Sequence, residues 1–146
     1  MTTSLAPLDH DETVRLLRSS RLARVAYNVD GEPSVVAAAV TVTTSGRMTL
    51  AVDDPDAQAH LDGCHVAVEV DGNFPSTGAR WSVVARGTAV AGDDASITRD
   101  RYEMPTARWA PLPDRGQRFI VIPTEIVGHL LNHGAATDWF AGVPAS

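Results

Sequence analysis

A dense acidic run, Asp53-Asp54-Pro55-Asp56-Ala57-Gln58, is the first group in this sequence whose residue types could do chemistry. Carboxylates so closely spaced either hold a hard cation or cap the amides at a helix start. The cap is the stronger expectation, because Pro55 stands where a first helical residue would. Arg86 is the next polar residue of interest. It reads first as a cross-strand partner of Glu69 and second as a contact to a phosphate or an acidic substrate. The sequence contains no lysine, so its fixed cations are twelve arginines. Lysine Schiff bases and a lysine phosphate clamp are therefore excluded.

The remaining reactive types give weaker patterns. His129 and His133 are four apart, which on a helix would present two imidazoles to one metal. The residues before them alternate as a strand, so a structural or surface role is expected. His60 and His65 flank Cys64 without a second cysteine, and no metal is expected there either. Cys64 reads as a small apolar group. Ser82, Asp71 and a histidine lack the glycine pattern of a nucleophile elbow, so no triad is expected. Trp81 reads as core or interface packing, and Trp109, near Pro111, as the cover of a pocket or a dimer contact.

These residues need elements to position them. Asp9 and Glu12 have capping-box spacing, and Val14, Leu16 and Leu17 follow as an apolar stripe, predicting one helix that ends at Ser19-Ser20. Strands are predicted over 22–28, 34–42, 47–52, 66–71 and 80–90, with a last one over 119–122 bent at Pro123 and continued over 126–131. Asp30-Gly31 supplies the first hairpin turn. The strand over 34–42 is nearly all Val and Ala, so both its faces are expected to be buried. Short helices are predicted after Pro55 and over 93–103, and an ordered loop over 104–116. Six strands joined by local hairpins, with a few short helices, predict a mainly β, closed or partly closed antiparallel barrel. Parallel βαβ folding is disfavoured, because the early strands lie too close for crossover helices.

Bulk properties agree. At 146 residues, 44% hydrophobic and 21% charged, the chain suits one folded domain with a core over about 8–131 and a tail over 132–146. A net charge of −6 argues against general nucleic-acid or membrane-surface binding. No apolar run is long enough to span a bilayer, the start does not read as a signal peptide, and one cysteine suits a reducing cytoplasm.

The order of four pieces, "SSRLARVAY", "DGEPSVV", "HVAVEVDG" and "RWSVVARGTAV", closed by "RFIVIPTEIVGHLL", resembles the pyridoxamine 5′-phosphate oxidase-like family of FMN-binding split barrels, in its small actinobacterial form. That resemblance implies a six-stranded split barrel, a homodimer with cofactor sites at the subunit interface, and FMN-dependent oxidoreduction of a small organic substrate. A deazaflavin is the variant cofactor. It further implies that Val36, Ala37 and Ala38 line the flavin ring, that Val52, Asp53 and Gln58 fall at the phosphate, and that Trp81 lies near the site. Relatives carry Ser or Thr and then Lys at the phosphate, where this chain has aspartates and Gln58. Arg47 or Arg86 is the expected replacement cation. The alternative is a split-barrel dimer that has lost flavin and binds another small ligand without catalysis.

Overall fold

The computed structural model describes residues 4–92 and 116–132. The helix expected over 93–103, the loop containing Trp109, His133 and the tail lie outside the described residues. The elements are β1 (Ser4–Pro7), α1 (His10–Ser19), β2 (Leu22–Val29), β3 (Glu32–Val42), β4 (Met48–Val52), α2 (Pro55–His60), β5 (His65–Asn73), β6 (Arg80–Ala91) and β7 (Gln117–Asn132). All pairings are antiparallel, in the order β1-β7-β4-β3-β2-β5-β6, and β6 also pairs with β7. The last pairing closes six strands into the split barrel. The short β1 is a seventh strand that the sequence pattern did not reveal.

The split has a simple origin in β7. Its first five residues pair with β4 and its last four with β1, while β6 runs along its other edge. Between Val121 and His129 the β4-side edge has no strand partner among the described residues, and α1 packs there. The Leu8 amide donates to the Gly128 carbonyl at 2.9 Å. A Cβ on Gly128 would stand 2.6 Å from Thr13 Oγ1, so only glycine allows this approach. The α1 start is half the expected capping box. The Glu12 amide donates to Asp9 Oδ1 at 2.8 Å, but the Glu12 carboxylate turns to Arg15 at 2.6 Å. That hydrogen bond holds the Glu12 carboxyl below its ordinary range.

The β2–β3 hairpin turns through Asp30 (φ 51°) and Gly31 (φ 83°), the paired left-handed conformations of a tight two-residue turn. Strand alternation then divides inside from outside. Val25, Val40, Leu50, Val68, Val83, Phe119 and Val121 fill the barrel, and Leu16, Leu17 and Leu61 pack on the same core. The expectation that the strand over 34–42 is buried on both faces holds only for its second half. Val35 is 67% exposed and Ala37 is exposed, because the first half of β3 lies in the hairpin, past the end of β4.

The bend expected at Pro123 is a β-bulge within one continuous strand. Arg86 pairs with Glu125 and Gly87 with Pro123, leaving Thr124 as the extra residue. The Thr124 hydroxyl donates to the Arg86 carbonyl at 3.2 Å, which takes up the irregularity. No helix among the described residues is long and apolar enough to cross a membrane.

Candidate functional site

The sequence-predicted site residues fall into separate places on this barrel. Val36 and Ala38 point to the interior and Ala37 to the outside, as consecutive strand residues must. One flat ring therefore cannot contact all three side chains. Val52 is fully buried at the end of β4. Asp53, Asp54 and Gln58 stand beside it, at the turn into α2. Arg47 lies at the opposite end of β4, about 20 Å from Asp53 at a rise of roughly 3.3 Å per residue. Trp81 is core: it packs on Gly72, where a Cβ would come within 2.6 Å of the indole. Arg86 sits on the outer face of β6.

At α2 the acidic run caps the helix. The Ala57 amide donates to Asp54 Oδ2 at 3.4 Å, and the Gln58 amide to the Asp54 carbonyl at 2.9 Å. The Gln58 side chain donates to the Val52 carbonyl at 2.7 Å. Asp56 accepts from the Tyr27 hydroxyl at 3.3 Å, and His60 Nδ1 lies 2.8 Å from the Asp56 carbonyl oxygen. Burial first, and the Asp56 charge second, push the Tyr27 phenol above its ordinary value. The Ala57 amide and the Gln58 carboxamide are thus engaged within the chain. Three carboxylates surround them, and the segment holds no cation. These carboxylates disfavour a phosphate at the α2 start itself, while Arg118, opposite Ala51 across β4 and β7, is the cation set nearest by register.

The outer face of β3 and β4 has a different character. Ala39 faces Ala51 and Thr41 faces Thr49 across the two strands, with Ala37 next in line on β3. All five side chains are small. The strip is exposed at Ala37 and closes toward Thr41, which is 6% exposed. Thr41 Oγ1 is buried without a hydrogen-bond partner among the described residues. An orphan hydroxyl at the end of a row of alanines suits a flat, mainly apolar ligand with a polar edge. The sequence reading named Ala37 and missed Ala39, Thr41, Thr49 and Ala51. Period-2 alternation would have found Ala39 and Thr41; the cross-strand partners needed the register.

A further feature is an open cleft of about 490 Å³ on the outer face, lined in part by Ala26, Pro33, His65, Ala67, Arg86 and Glu125. Arg86 pairs there with Glu125 at 3.4 Å across β6 and β7. This corrects the expected Arg86–Glu69 pair. The β5–β6 register sets Ala67 opposite Arg86, and Glu69 is taken by Arg24 at 3.2 Å. Among the described residues no group of three or more metal-binding side chains occurs.

Known proteins share this fold. The family model for pyridoxamine 5′-phosphate oxidase matches residues 9–125. None of the curated proteins matches at a significant level. Among solved structures, an FAD-binding protein of Mycobacterium smegmatis is 19% identical with a TM-score of 0.66, covering 88% of this chain and 100% of its own. An FAD-binding protein of Mesorhizobium loti is 18% identical with a TM-score of 0.66, covering 88% and 99%. An FAD- and heme-binding protein of M. smegmatis is 17% identical with a TM-score of 0.60, covering 92% and 78%. At these identities the three structures share the fold.

Proposed function

From the premise that this chain belongs to the pyridoxamine 5′-phosphate oxidase family, we propose that it binds a flavin nucleotide and serves flavin-dependent oxidoreduction of a small organic substrate. The observation that carries this reading is the buried, unpartnered Thr41 hydroxyl at the closed end of the Ala37–Ala39 strip. The isoalloxazine is flat and largely apolar, with hydrogen-bonding edges. Alanine side chains let it approach the strand closely, and Thr41 gives one edge a partner. Two of the similar-fold proteins are FAD-binding and a third binds FAD and heme, which agrees with such a ligand. The flavin itself would supply the redox chemistry; the chain would contribute position and exclusion of water. FMN is the form the sequence resemblance implies, with FAD and a deazaflavin as the other candidates.

A specific observation also favours a second reading, a split barrel that binds a small ligand without flavin. That observation is α2, whose groups are engaged within the chain and whose charge repels phosphate. Flavin binding in the first reading must therefore rest on the ring. The homodimer belongs to the same proposal. Leu22 and Val35 are 65% and 67% exposed on the outer face of the β2–β3 ladder that also carries Ala37, and a second copy would cover them beside the ring.

The test is titration of purified protein with FMN, FAD and a deazaflavin, followed by absorbance and fluorescence. Binding is expected for the intact chain and is expected to fall at least tenfold in Ala39→Phe, which fills the strip. Absence of any retained or titratable flavin selects the second reading.

A further inference from the structure

One row of residues crosses five strands on the outer face: Val35, Ala26, Ala67, Arg86 and Glu125 are successive partners from β3 to β7. Its second and third members are alanines, whereas both neighbouring rows are tall. On one side Arg24 bonds Glu69 at 3.2 Å and Asp71 at 3.5 Å. On the other stand Pro33, Asn28 and His65, whose Nδ1 is 3.4 Å from Thr88 Oγ1. The result is a trough with an apolar floor and polar walls. It forms the 490 Å³ cleft, within the usual range for small-molecule sites. From Ala26 to Arg86 it spans two strand spacings, about 10 Å.

The Arg86 end is built. The bulge at Thr124 brings Glu125 opposite Arg86, and Thr124 ties down the Arg86 carbonyl at 3.2 Å. Gly87 has no room for a side chain, since a Cβ would meet the Ile122 carbonyl at 2.6 Å. The backbone under Arg86 is thereby pinned while its guanidinium stays 55% exposed. That guanidinium donates one hydrogen bond, at 3.4 Å to Glu125, and its other N–H groups make none among the described residues. A guanidinium on a fixed stretch of backbone, with an open edge, is suited to pair with the two oxygens of an acid group.

We propose that this trough is a second ligand site, separate from the Ala37–Thr41 strip, for a small planar organic anion. Its acid group lies on Arg86 and its body lies over Ala26 and Ala67. Glu125 competes with the ligand for the guanidinium and sets a modest affinity. The trough's residues and those of the strip do not overlap, and its Ala26 end adjoins Val35 at the edge of the proposed dimer face.

The experiment is titration of the full ¹⁵N-labelled chain with phenyl phosphate and benzoate, using inorganic phosphate and acetate as controls that carry only the acid group. Amide shifts centred on Ala26, Ala67, Arg86 and Thr124 are expected with the aromatic anions. Binding is expected to weaken at least tenfold in Arg86→Gln and in Ala67→Leu, and to tighten several-fold in Glu125→Gln. Arg86 is exposed, so Arg86→Gln should keep the wild-type melting temperature and remains informative if Ala67→Leu does not fold. The proposal is overturned if no binding occurs, if shifts centre elsewhere, or if Arg86→Gln binds like the intact chain. It is also overturned if inorganic phosphate binds as tightly as phenyl phosphate, or if saturating FMN displaces the anion.

Discussion

A single hydroxyl carries most of the functional reading. Thr41 Oγ1 is buried without a partner among the described residues, and an unmet hydroxyl costs about 1–3 kcal/mol. Thr41→Val keeps the shape and removes that cost. The ligand-free protein should therefore become more stable by about 1 kcal/mol in urea unfolding. The same variant should bind flavin several-fold more weakly; tighter or equal binding would remove Thr41 from the site. Tyr27 gives a second residue-scale prediction. Its phenol is raised by burial and then by Asp56, so the folded state keeps the proton after the unfolded chain has lost it. Stability should fall as pH rises from about 10 toward the folded value, and Tyr27→Phe should lose less over that window. Unfolding in urea at pH 8 and pH 11 measures the difference. At this scale the sequence was legible where a residue acts locally, as with Asp9 at its cap. Arg86 was legible as a paired cation. Its partner was not, because Glu125 comes opposite only through a bulge nearly forty residues away.

At the scale of elements, α2 is the decisive piece. The acidic run and Pro55 announced a capped helix, and Asp54 does cap it. The sequence could not show that Gln58 would spend its carboxamide on the Val52 carbonyl. That bond ties α2 to β4 and engages the Gln58 carboxamide within the chain. Asp54→Ala removes both a cap and a carboxylate. It should cost about 1 kcal/mol of stability, read by denaturant unfolding. Flavin affinity should change less than threefold, because no phosphate sits at this turn; a tenfold gain would place the phosphate there after all. The strands were legible from period-2 alternation and their turns, whereas β1 was hidden by its length of four residues. The half-exposed β3 was misread for a physical reason. A Val-Ala run signals burial, but which half is covered depends on where β4 ends.

The whole molecule separates scaffold from ligand sites. Closing β6 on β7 gives the barrel its core, and the split beside β7 receives α1. The split contributes no reactive group among the described residues, whereas the closure sets Glu125 opposite Arg86. Both proposed ligand sites lie on the outer surface, one over small residues of β3–β4 and one as a trough reaching from β2 to β7. Leu22 and Val35 lie on the same outside, so the proposed dimer should be visible by sedimentation and should dissociate in Val35→Glu. Family membership accounts for the barrel; it does not account for the aspartates of α2. The central claim is that flavin is held by its ring and not by its phosphate. Parallel titrations with FMN and riboflavin, which lacks the phosphate, test it most directly. The account predicts that both bind and that their affinities agree within about threefold, or less than 1 kcal/mol. Binding of FMN a hundredfold tighter than riboflavin, or of neither, would contradict it.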